Sequence, residues 1–139
     1  MLVFDKLEDW TKRPEPAVQH FSGTAVYRKV FALADPSKIQ NAKSKIYLDL
    51  GTVKETVRVK LNGKDLGVVW CHPWRVEITG AIKSGENKLE IEVVNLWPNR
   101  LVGDSNLPAE QRRTRTNYPA QSALCAGLLG PVQILTSEK

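Results

Sequence analysis

TVRVKLNGKDLGVVW, residues 56–70, decides the fold. Its first half alternates without error: Val57, Val59 and Leu61 fall on one side, Arg58 and Lys60 on the other. A period of two is the signature of a strand with one buried face. Asn62–Gly63 then supplies two residues that tolerate positive φ, as a tight hairpin requires. The return strand is DLGVVW, 65–70.

The same pattern extends outward in both directions. TAVYRKVFAL (24–33) is rich in β-branched and aromatic residues, and its alternation slips at Arg28–Lys29, as at a bulge or an edge. In KIYLDL (45–50), Ile46, Leu48 and Leu50 share one face. WRVEIT (74–79) follows the His72–Pro73 interruption, SGEN (84–87) marks a turn, and KLEIEVV (88–94) sets Leu89, Ile91 and Val93 on one side. PVQIL (131–135) closes the series, its proline suited to a strand start. About seven strands at short spacing, with no helical periodicity, predict an antiparallel β-sandwich or barrel.

Two segments stand outside this pattern. Residues 1–22, with Trp10 and Pro14–Glu15–Pro16, read as an irregular lead-in strap against a neighbour, ahead of a sandwich domain over 23–139. The connection 95–129 is too long for an ordinary loop, and such loops are usually functional or bind a neighbour. It opens with NLWPNRLVGD (95–104), a tryptophan among asparagines, an arginine and an aspartate.

Composition bounds what the chain can be. Its 139 residues fit one domain, and 42% hydrophobic with 25% charged residues is an ordinary globular balance. No apolar run approaches the roughly 20 residues of a membrane-spanning helix. MLVFDKLEDW lacks the layout of a signal peptide, so export would need a targeting segment upstream. The net charge of +5 raises nucleic acid as a partner, with Arg112, Arg113 and Arg115 the densest cluster. That cluster lacks aromatic interleaving and a wider basic stripe, so no nucleic-acid partner is expected. Cys71 and Cys125 have no CxxC spacing, which leaves zinc unsupported and leaves open one disulfide or two free, partly buried thiols.

Catalytic signals are weak. His20 and His72 sit in no recognisable motif, and Ser84 and Ser105 lie in no G-x-S-x-G setting. Asp104 and Glu110 could form a glycosidase pair, but both read as residues of a polar, solvated loop. Sugar recognition fits better, because a sugar ring is held by an aromatic plate on its apolar face and by amides, carboxylates and guanidinium groups on its rim. One candidate group is Trp70, His72, Trp74 and Arg75; the other is Asn95, Trp97, Asn99, Arg100 and Asp104, with Tyr118 further along. Each has a structural reading beside it. Trp70 is in phase with Leu66 and Val68 and reads as core, and Trp74 can cover the sandwich's end. Residues 95–104 can be an internal network, or Trp97 and Arg100 can pack on another domain.

The combined motifs resemble one family. They are G-T-A-x-Y-R-K-x-F (23–31), I-Y-L-D-L-G-x-V (46–53), V-x-L-N-G-K-x-L-G-x-x-W (59–70), the long run I-T-x-x-I-K-x-G-E-N-x-L-E-I-E-V-x-N-L-W-P-N-R-L-x-G-D (78–104) and G-L-L-G-P-V (127–132). Together they resemble the C-terminal sugar-binding-type domain of large bacterial glycoside hydrolases, nearest the family-106 α-L-rhamnosidase type. They are similar also to the jelly-roll modules of family-2 β-glycosidases and to galactose-binding-domain-like sandwiches. The resemblance implies an all-β jelly roll without catalytic residues of its own. Its partners would be an upstream catalytic domain and a glycan containing L-rhamnose or galactose, in a periplasmic or extracellular parent enzyme. Cys71–His72 departs from the family, which more often has small residues or proline there, and this weakens a binding role for His72. No cofactor is implied. Such sandwiches often hold a structural calcium, but no cluster here places one.

Overall fold

The computed structural model describes residues 2–33, 44–115 and 123–137. Among the described residues nine strands form: β1 (Gly23–Leu33), β2 (Ile46–Asp49), β3 (Thr52–Lys54), β4 (Thr56–Leu61), β5 (Lys64–Val69), β6 (Arg75–Glu77), β7 (Gly85–Asn95), β8 (Gly127–Gly130) and β9 (Gln133–Thr136). Short helices are α1 (Pro16–Gln19) and α2 (Pro98–Ser105), with single 3-10 turns at Trp10–Lys12 and Ala109–Gln111.

One layer is a four-stranded sheet in the order β1-β7-β4-β5. Opposite it lie the three-stranded sheet β6-β2-β9 and the pair β3-β8. Every strand pairing is antiparallel, and the molecule is an all-β sandwich. The alternation read from the sequence sets the layers: Val57, Val59, Leu61, Leu89, Ile91 and Val93 of the large sheet meet Ile46, Leu48, Val53, Val76 and Leu128 of the small ones in one buried cluster. Burying each such side chain stabilises the fold by about 1.5–3 kcal/mol before chain entropy is counted.

The hairpin at 62–63 forms as expected, with Asn62 at φ 53° and Gly63 at φ 81°. Its register shifts between Arg58 and Lys60, where β5 carries one residue more than β4. Gly67, at φ 93°, supplies the positive dihedral of that bulge. In contrast, β1 pairs with β7 without a break from Gly23↔Asn95 to Leu33↔Gly85. The slip at Arg28–Lys29 is therefore the mark of an edge strand, where Lys29 can turn to water, and not of a bulge.

Three expectations are corrected. The strands number nine, since β3 and β8 are too short, and β8 too glycine-rich, to show alternation. The segment 95–129 contains helix α2, whose inward face carries Asn99 and Val102 instead of an apolar stripe. Its start is marked by Pro98 in the first turn, where a missing N–H costs nothing. Cys71 and Cys125 are separate, exposed thiols, neither buried nor bridged.

The lead-in packs on this same sandwich. Trp10 is 2% exposed and belongs to the core cluster. Its ring stacks on Tyr27 (centroids 6.4 Å apart) and meets Phe21 edge-on (5.6 Å), while its indole N–H donates to the Tyr27 hydroxyl. The Trp10 amide donates to Ala126 O (3.0 Å), and the Ala126 amide donates to Asp9 Oδ1 (3.1 Å). Gly127 makes room: a Cβ there would lie 2.4 Å from the indole nitrogen. Arg13 ties the strap together through Glu8 (2.9 Å) and Glu15 (2.7 Å).

Candidate functional site

The segment 95–104 lies where β7 ends and α2 begins, and its polar side chains turn inward. Asn95, at the last position of β7, donates from Nδ2 to Phe21 O (2.8 Å) and accepts the Leu96 amide (2.8 Å). Asn99 is buried on α2, where Nδ2 donates to Leu124 O (2.7 Å) and Oδ1 accepts the Leu124 amide (2.6 Å). One side-chain amide thus takes the place of a strand neighbour for that backbone unit. Asp104 is 2% exposed, against the expectation of a solvated loop residue. Its Oδ2 accepts the Thr114 amide and hydroxyl, both at 2.7 Å, and Oδ1 meets Arg100 Nη2 at 2.6 Å. The hydrogen bond from the Thr114 hydroxyl, ahead of the Arg100 charge, holds the carboxyl below the ordinary aspartate value. These bonds pin α2 to the segments around 114 and 124.

What remains outside is apolar. Trp97, at the N-cap of α2, is 72% exposed, with Leu96 half exposed before it. Arg100, one turn on, keeps 35% of its side chain exposed. Tyr118 lies outside the described residues.

The second candidate group is divided. Trp74 is buried in the core, donating from Nε1 to His72 Nε2 (3.1 Å). Arg75 is exposed and paired with Asp49 (2.6 Å), whose other oxygen accepts the Gly51 amide (2.8 Å). Trp70 overturns its core reading: it is 71% exposed. Val69 of β5 faces inward opposite Val57, so alternation sends Val68 and the following Trp70 to the outer face. Leu66 is in phase with Trp70 in the sequence only: the extra residue at Gly67 reverses the phase, so Leu66 packs on the core while Val68 and Trp70 face out.

Sequence reasoning also missed the amide knot at the opposite end of the sandwich. Asn62 Nδ2 donates to Ala81 O and to Asn87 Oδ1, both at 2.8 Å. Asn87, wholly buried, donates in turn to Lys83 O (2.8 Å) and Gly85 O (2.9 Å). Both residues showed in the sequence only as turn formers. Arg112 is likewise structural, donating to Leu107 O (2.8 Å) and Ser105 O (3.2 Å) at the end of α2. That leaves Arg113 and Arg115 of the basic cluster exposed. Among the described residues no three His, Cys, Asp or Glu side chains converge as a metal centre would need, and no helix is long and apolar enough to cross a membrane.

The chain belongs to the glycosyl hydrolase 2 galactose-binding domain-like family, whose model matches residues 5–123. It is similar to a protein of Formosa agariphila named "Putative beta-glucuronidase", at 39% identity over 94% of this chain. It is similar in structure to the rhamnosidase of Novosphingobium sp. PP1Y, with TM-score 0.83 and 36% identity over 96% of this chain. The beta-glucuronidase of Bifidobacterium dentium shares the fold over 63% of this chain, with TM-score 0.53 and 22% identity. The chain spans 13% of the length of each of the first two relatives and 14% of the third.

Proposed function

We propose that this chain is a non-catalytic accessory domain of a large bacterial glycoside hydrolase of the α-L-rhamnosidase type, docked on the catalytic portion of that enzyme. The observation that carries the docking role is the inward turn of 95–104. Asn95, Asn99 and Asp104 have their hydrogen bonds filled by the domain itself. A sugar subsite needs such groups free around its aromatic plate, and Trp97 has none of the three. The absence of a catalytic role is supported by Asp104. A glycosidase acid must have its pKa raised, and here the bonds from Thr114 lower it. The rhamnosidase type is supported by the likeness to the Novosphingobium enzyme over nearly the whole chain. The same reading proposes a periplasmic or extracellular setting for the parent enzyme, as the family resemblance implies.

A carbohydrate-binding role is the second reading. Exposed Trp97 with half-free Arg100 one turn along α2 offers a plate and a guanidinium side by side. A single-plate site would hold a monosaccharide at about millimolar Kd, roughly 4 kcal/mol. The experiment is an NMR titration of the labelled chain with L-rhamnose, galactose and a rhamnose-containing oligosaccharide, with and without calcium. Flat spectra at tens of millimolar are expected. Saturable shifts at the Trp97 indole and Arg100 would replace the docking role with sugar binding.

A further inference from the structure

The outer face of the four-stranded sheet is divided into two unlike halves. Its middle is a ladder of ion pairs across the strands: Arg58 with Asp65, Lys60 with Glu92 (2.9 Å) and Arg28 with Glu90 (3.3 Å). Three bases meet three acids, so this half is neutral and water-facing. Beyond the Arg58–Glu92 row, towards the end nearest α2, the ladder stops and apolar side chains take over. There Val68 and Trp70 of the β5 edge, Val94 of β7, Val26 of β1, and Leu96 and Trp97 beyond β7 are all exposed. The register sets them towards one end of the face, interleaved with polar residues: Val26 and Val68 flank Glu92 and Arg58 in one row across the sheet, and Val94 lies between Thr24 and Thr56 one row nearer the end. Two tryptophans more than two-thirds exposed on one corner are not the scattered apolar residues of an ordinary surface.

We propose that this corner, centred on Trp70 and Trp97, is the seat of the catalytic portion of the same enzyme, docked intramolecularly. This rests on the accessory-domain reading above. The size of the patch selects the occupant. Two aromatic and four aliphatic side chains at these exposures offer on the order of 600 Å². A freely associating partner or a second copy needs about 800 Å² per side for a standard interface, and more if obligate. A partner on the same polypeptide needs less, because tethering holds it at an effective concentration near millimolar. The neutral ladder beside the patch offers nothing to an anionic partner, so the facing surface is apolar with a polar rim.

The test compares the variant Val68→Ser/Trp70→Ser in the 139-residue chain and in the longer enzyme that carries it. Val30→Ser, also exposed but at the far end of the same face, serves as control. In the chain alone the variant leaves Tm unchanged, because these side chains are already in water. In the enzyme it lowers the transition of this domain by about 5 °C, and the control moves neither. Equal shifts in both settings, or none in either, overturn the proposal. Self-association of the chain at high micromolar concentration, lost in the variant, also overturns it, since a second copy would then be the occupant. Activity of the wild-type enzyme on aryl α-L-rhamnoside and aryl β-glucuronide judges the enzyme reading separately. An inactive enzyme sinks that reading while the thermal comparison still reports on docking.

Discussion

The four tryptophans fall into two regions that obey opposite rules. In the interior, Trp10 and Trp74 are buried, and each indole N–H has an acceptor, the Tyr27 hydroxyl for one and His72 Nε2 for the other. At the outer corner Trp70 and Trp97 stand more than two-thirds exposed, among apolar neighbours. A buried indole with its N–H satisfied is a structural element. An exposed one beside valine and leucine adds little to the stability of this chain, which fits the docking role proposed above. The same contrast runs through residues 95–104, where asparagine and aspartate hold the fold from inside and the tryptophan faces out.

The sharpest way to break this comparison is to remove an inner ring. Trp10→Ala should cost about 3–5 kcal/mol, read as a fall in the urea midpoint of the chain. A loss below about 1 kcal/mol, no larger than an ordinary single substitution, would mean that the strap is not part of the core. Gly127→Ala should act in the same direction. Its Cβ would collide with the Trp10 indole, and the residue sits at φ 99°.

Next in size is the amide that stands in for a strand. Asn99→Ala leaves the Leu124 N–H and C=O without partners and should cost about 2 kcal/mol. Asn99→Asp should cost at least as much, because a carboxylate cannot donate to Leu124 O. Hydrogen exchange at Leu124 should quicken in both variants; unchanged exchange would show that water already serves that backbone.

Acid should then loosen the clamp by degrees. Asp104 is lowered by the Thr114 hydrogen bonds and by Arg100. For Asp9, burial pushes the pKa up, but the bonds from Thr11 and Ala126 outweigh it, and the net shift is downward. A folded-state pKa below the unfolded 3.8 means that the unfolded chain takes up the proton first. This stability is complete above that value and is lost as pH falls through the lower folded value. Urea midpoints should therefore hold from pH 7 to about 5 and drop steeply below 4. Asp104→Asn should start from a lower midpoint and show a shallower drop; an unchanged slope would remove Asp104 from the account.

The smallest effect belongs to the outer corner. Trp97→Ser in the chain alone should change stability by less than about 0.5 kcal/mol. A loss as large as that of Trp10→Ala would erase the distinction between the two regions.

How much of this was legible in the sequence depended on whether a residue's face was declared by its neighbours. β4 and β7 alternate strictly, and the hairpin at Asn62–Gly63 followed directly, while the bulge in β5 did not show. β8 could not be seen, because Gly127–Leu–Leu–Gly130 is buried on nearly all sides and has no period to show. Helix α2 was hidden because its inner face is Asn99 and Val102 with Gly103 against His20, so polar and small residues occupy the apolar stripe. Asp104 was misread for the same reason: a carboxylate in a polar stretch reads as solvated until Thr114, ten residues on, is known to reach it. Trp70 was misread in the opposite sense, since the bulge at Gly67 reverses the phase of β5 between Leu66, which packs on the core, and Val68 and Trp70, which face out. Strand periodicity and turn spacing pointed to the sandwich and the resemblance to the enzyme context; the internal bonds of 95–104 came only from the structure.

The pairing of Asp9 and Trp10 with Ala126 and Gly127 also sets an order of events at the ribosome. It joins residues 117 apart in sequence, so it is among the last contacts a growing chain can form. Until Gly127 emerges, the Trp10 indole has Tyr27 of β1 on one side but lacks the wall that Ala126 and Gly127 supply. The large sheet, complete once residue 95 is made, must wait through the synthesis of α2 and the return segment before its core can close. At about 5–20 residues per second this is an interval of seconds, during which the inner faces of β4 and β7 are open to chaperones or to a wrong partner.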